Sequence, residues 1–128
     1  MKEIPVCDAR IIPLSPNIKP CFKNLFLVWL EVYPAYRQVT FKSLSVSGCL
    51  IYPAEINNKD GTLYYSPITN KGGIKELSLN QVLPSRFSSS SSLKIAFFVE
   101  PENNQDRVKI TVHSFQWFMS TSCEVFLK

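Results

Sequence analysis

"LKIAFFVEPENNQDRVKITVHSFQWF", Leu93 to Phe118, holds the clearest periodicity in the chain. Leu93, Ile95, Phe97 and Val99 alternate with Lys94, Ala96, Phe98 and Glu100. Val108, Ile110 and Val112 then alternate with Arg107, Lys109 and Thr111. Successive side chains of an extended chain point to opposite faces, so each segment reads as a strand with one buried side. The connector between them is polar, of hairpin length, and has Asn103-Asn104 near its centre. The pair therefore predicts an antiparallel hairpin over about 93–118.

Upstream, "NLFLVWLEVYP" is apolar on both phases: Phe26, Val28, Leu30 and Val32 on one, Leu25, Leu27 and Trp29 on the other. Its β-branched and aromatic content, with Pro34 as the stop, favours a strand covered on both faces over a helix. The short connector "PAY" predicts that "RQVTFKSLSVSGCLIYP" returns antiparallel beside it. In that segment Val39 and Phe41 share one parity and Leu44, Val46, Leu50 and Tyr52 the other. A shift of one residue inverts every later side chain, which requires a bulge or break near Lys42-Ser43. Gly48 suits a tight bend.

Residues 53–92 form a turn-rich excursion. "NNKDG" is a turn, "TLYYS" a short strand and "TNKGG" a second turn. "SLNQVLP" predicts the one short helix, over 78–83, with Ser78 as N-cap and Pro84 as terminator. "SSSSS" at 88–92 is a flexible entry to the next strand. "CEVFLK" at the C-terminus reads as an edge strand, and residues 1–22 as a proline-rich arm. Nine prolines, one weak helix and about seven strands predict an all-β fold: a single-domain antiparallel β-sandwich or barrel-like sheet over 1–128.

The 128 residues suit one domain, and 45% hydrophobic with 19% charged residues is a globular balance. Fourteen basic and ten acidic side chains leave a formal +4, with no run of three basic residues. That permits an anionic partner without concentrating charge for one. Cysteines at 7, 21, 49 and 123, in no close pair and with a single histidine, lack zinc-site spacing. No metal and no cofactor is implied. The first twenty residues contain no apolar h-region, and the chain has no N-x-S/T sequon, which points to an intracellular protein with reduced thiols. "LFLVWLEVY" is about nine residues long and carries Glu31, too short for a transmembrane helix of ~20.

His113 shares the outward parity of Lys109 and Thr111. As a general base it would need a nucleophile within hydrogen-bond reach, and none of the four thiols lies in a recognisable catalytic motif. Phe115 and Trp117 continue the same outward parity. Either a bulge near Ser114 turns them inward, or they form an exposed aromatic patch of the kind that marks a contact surface. Leu25, Leu27 and Trp29 are the other interface candidates, unless the 53–92 excursion covers them. Lys94, Arg107 and Lys109 could together meet an anionic partner, nucleic acid or lipid headgroups, on one hairpin face. Phosphate-cradling and calcium-loop patterns are absent.

These readings converge on a non-catalytic β-rich binding and assembly module, acting through protein–protein contacts and self-association as a homo-oligomer. The general character is that of a small viral structural or matrix-type protein. One alternative is a nucleic-acid or anionic-membrane-surface binder. Another is a cysteine-dependent enzyme with His113 as base.

Overall fold

The computed structural model describes residues 4–13 and 25–127. Among these residues nine strands form two antiparallel sheets facing each other as a sandwich. Strands β1 (Val6–Ile12), β2 (Phe26–Tyr33), β4 (Cys49–Lys59), β5 (Thr62–Pro67) and β7 (Leu93–Pro101) make a five-stranded sheet in the order β1-β2-β7-β4-β5. Strands β3 (Val39–Val46), β6 (Glu76–Leu83), β8 (Arg107–Ser114) and β9 (Thr121–Phe126) make a four-stranded sheet in the order β6-β3-β8-β9. Two 3-10 turns, Thr69–Lys71 and Trp117–Met119, are the only helical segments among the described residues, so no helix there is long and apolar enough to cross a membrane.

The alternating positions do what their pattern requires. Val28, Leu30, Val32, Ile51, Phe97 and Val99 point from the first sheet into one core with Val39, Phe41, Leu44, Val108, Ile110 and Val112 from the second. Each is essentially inaccessible to water. Burying side chains of this size stabilises the fold by roughly 1.5–3 kcal/mol apiece before entropy is charged.

Pairing partners differ from the expectation. The segments 93–101 and 107–114 are strands, but they do not pair: β7 lies between β2 and β4, and β8 between β3 and β9. Their connector is an arch between sheets. Likewise β3 crosses to the second sheet instead of returning beside β2. Alternation states which side chains face inward, and an inward face is equally satisfied from either sheet.

The segment expected as a helix over 78–83 is strand β6. Leu77 and Leu79 pack on the core with a period of two, and Asn80, at φ +49°, introduces the irregularity that broke the pattern. The proline-rich arm 1–22 contains strand β1 over Val6–Ile12, and its later residues lie outside the described ones.

The phase change in β3 is a bulge. Register shifts between Phe41 and Ser43 against both neighbours, so Lys42 is the extra residue opposite β8. Gly48, at φ +62°, turns β3 into β4, while Asp60 and Gly61, both at positive φ, turn β4 into β5. These are the positions where "SG" and "DG" announce tight turns.

Candidate interaction surface at one end of the sandwich

Three connections and the start of β1 meet at one end. Val6 pairs with Tyr33, Leu93 with Val32, Leu83 with Val39 and Thr121 with Val112. The loops 34–38, 84–92 and 115–120 must therefore emerge together. Their conformations are held by backbone hydrogen bonds. Arg86 N–H donates to the Ala35 carbonyl at 2.8 Å, joining the first two loops, and Phe115 N–H donates to the Thr40 carbonyl at 3.0 Å.

The third loop is fixed by Ser114, which is buried. Its hydroxyl accepts from Gln116 N–H at 2.9 Å and donates to Gln116 Oε1 at 3.0 Å. Its N–H donates to Ser120 Oγ at 3.0 Å. A hydroxyl that hydrogen-bonds the backbone two residues on competes with a strand ladder, so β8 ends at Ser114 and the chain turns outward. Phe115 is consequently 62% exposed. Trp117 lies in the 3-10 turn by its backbone, and its side chain is outside the described ones.

Other aromatics join Phe115. Tyr36 and Phe87 stack with centroids 5.4 Å apart, and the Arg86 guanidinium lies 5.1 Å from the Tyr36 ring. Phe87 is 77% exposed and Phe118 49%. Beside them, Ile4, Tyr36, Arg37, Phe118 and Met119 line a cleft of about 430 Å³. Arg37 and Arg86 are exposed and are the only charged residues of the three loops. Exposed aromatic rings cost water contact and are normally withdrawn. Rings held by paired loops beside arginines have the composition of a protein contact site.

The remaining candidates separate. Leu25 and Leu27 are buried: they pack with Phe98, Ile12, Tyr52, Ala54, Tyr65 and Ala96 in a second small cluster, so neither presents a surface. Cover by the 53–92 excursion, the alternative to an interface, is what Tyr65 and Ala54 provide. Trp29 is half-buried, and its indole N–H donates to Glu31 Oε1 at 3.0 Å. That bond, with the Ser92 hydroxyl on Glu31 Oε2 at 3.2 Å, holds the Glu31 carboxyl below the usual carboxylate range.

Lys94, Arg107 and Lys109 do not share a face. Lys94 stands opposite Glu31 on the outside of the five-stranded sheet, whereas Arg107 and Lys109 stand on the outside of the four-stranded one. Arg107 lies 3.9 Å from Glu124. The shared basic face required β7 and β8 to be neighbours, and they are not.

His113 faces outward, and its Nε2 lies 2.8 Å from the Ser45 hydroxyl, across the bulge that also seats Ser43 against Glu76 at 2.6 Å. The described thiols point the other way. Cys123 pairs with Ile110, on the core face of the sheet that displays His113, and Cys7 and Cys49 are buried in that core. Burial, with the Glu102 charge, pushes the Cys49 thiol up to about 11. Cys21 lies outside the described residues. No group of three metal-ligating side chains occurs among the described residues.

Comparison with protein-family models, with curated proteins and with solved structures returns no match.

Sequence periodicity missed Ile4, Tyr36, Arg37, Arg86, Phe87 and Phe118. The available signal was of another kind: large rings and arginines inside short connectors, "PAYR" and "PSRF", where no strand face can bury them.

Proposed function

We propose that this protein is a non-catalytic assembly module that self-associates through the aromatic–arginine end of its sandwich. The observation that carries the reading is the convergence of Phe87, Phe115 and Phe118 on one end, exposed and flanked by Arg37 and Arg86. An end of rings and guanidiniums on hydrogen-bonded loops supplies large contact area, which is the make-up of interface hot spots. The loops are tied by hydrogen bonds at Ser114, Ala35 and Thr40, so little further ordering is needed on contact.

Light scattering over a concentration series tests the reading. The native chain is expected to exceed monomer mass as concentration rises, and Phe87→Ser with Phe115→Ser to stay monomeric with an unchanged circular dichroism spectrum. A native chain that is monomeric throughout, or a doubly substituted chain that associates equally well, overturns it.

A further inference from the structure

We propose that Cys7 and Cys123 form a reversible disulfide that staples the first strand to the last, with hydrogen peroxide as the oxidant. β1 is the edge of the five-stranded sheet, β9 is the edge of the four-stranded sheet, and the two pack against each other. Both thiols face the same core cluster, Cys7 from β1 and Cys123 from β9. The Thr121 hydroxyl donates to Cys7 Sγ at 3.9 Å. Two free thiols brought to one core face by packed edge strands that no backbone ladder joins make a candidate pair, unlike a solitary buried cysteine. Cys49 sits apart, held by the Gln105 amide at 3.4 Å.

The roles of the two sulfurs follow from their surroundings. The hydrogen bond from Cys123, aided by Thr121, lowers the Cys7 thiol below its ordinary pKa against the opposing effect of burial. The same contact, with burial, raises Cys123. The Thr121 hydroxyl donating to Cys7 Sγ favours that thiolate, which makes Cys7 the nucleophile and Cys123 the resolving thiol. The Cys7 thiolate attacks a peroxide oxygen and the O–O bond breaks. The departing hydroxide takes a proton and leaves as water, and Cys7 becomes a sulfenic acid. Cys123 Sγ then attacks Cys7 Sγ; the S–O bond breaks, and the thiol proton leaves with the hydroxyl as a second water. Two thiols lose two electrons, and one peroxide is reduced to two waters. A small oxidant suits the site, because Cys7 is only 7% exposed and Cys123 half-buried.

The staple would also anchor the end face. Ile4 precedes Cys7 by one short step of chain, and the loop bearing Phe118 and Met119 runs directly into β9. Oxidation would fix two walls of the cleft.

Hydrogen peroxide treatment of the full chain, alkylation of the remaining thiols and peptide mass mapping test the proposal. The expected product is one linked peptide pair joining Cys7 to Cys123, reversed by a dithiol reductant. Closing nearly the whole chain into a loop should also raise the thermal midpoint by about 10 °C or more. Cys123→Ser should arrest oxidation at a Cys7 sulfenic acid that a carbon nucleophile traps, while Cys49→Ser should change nothing. Linkage through any other pair of cysteines, or alkylation of both Cys7 and Cys123 after peroxide, overturns the proposal; the mapping on the native chain needs no variant to fold.

Discussion

Single residues at the strand ends carry more of this fold than their side chains suggest. Gly48 occupies φ +62°, and a Cβ there would run into the Gln105 side chain. That amide ties the corner together, donating to the Ser47 and Arg107 carbonyls at 3.0 and 2.9 Å. Gly48→Ala must pay for left-handed backbone and displace the amide, a loss of about 1–2 kcal/mol in urea unfolding. Alkylation of Cys49 should quicken at the same time, because Gln105 also covers its sulfur. Glu31 offers a pH test. Its folded pKa is depressed, so its contribution is present above the ordinary carboxyl pKa and is lost as pH falls through the folded one. Trp29→Phe removes the principal donor. The Glu31 titration followed by NMR should move up toward the ordinary value. The pH-dependent part of the stability difference should be present at neutral pH and vanish in acid. A titration that does not move would assign the depression to Ser92 and Lys94 instead.

At the scale of elements, the legible features were those that local chemistry dictates. The bulge at Lys42, the bend at Gly48, the "DG" hairpin and the inward sides of β7 and β8 each follow from parity or turn residues in a few adjacent positions. β6 was misread because Asn80 interrupts its alternation. Ser78 pairs with Ser43 and Gln81 with Phe41, leaving Leu79 and Asn80 opposite Lys42 alone. A spacing of Leu77, Leu79 and Leu83 broken in this way resembles a helical turn, and Pro84 strengthens the resemblance. Asn tolerates the left-handed region through its short polar side chain, and Gly tolerates it better. Asn80→Gly is therefore expected to leave stability within about 0.5 kcal/mol, and Asn80→Val to lower it by about 1–2 kcal/mol. Equal urea midpoints for the two variants would mean that β6 re-registers and that its bulge is not imposed by β3.

The whole molecule adds what no local window holds: which ends and faces come together. Sheet assignment separated Lys94 from Lys109 and gathered three loops from distant parts of the chain, and neither result is encoded in periodicity. It also sets the geometry of association. Contact of two aromatic ends related by a two-fold axis would bring Arg37 and Arg86 against their own copies, which like-charge repulsion opposes. The arch between β7 and β8 carries Glu102 and Asp106, both exposed, and no basic residue. It lies at the opposite end, where Cys49 pairs with Pro101. A head-to-tail contact, aromatic end against arch, matches charges and leaves a free end on each chain for growth. Association should then weaken as salt rises from low to physiological strength. Arg37→Glu with Arg86→Glu should be monomeric, as should Glu102→Arg with Asp106→Arg. An equimolar mixture of these two variants should associate, because each supplies the complement the other lacks. Lys94→Glu and Lys109→Glu, on the two side faces, should associate as the native chain does. If the mixture stays monomeric by light scattering while the native chain associates, the arch is not the partner of the aromatic end, and a contact through the rings alone replaces the head-to-tail arrangement.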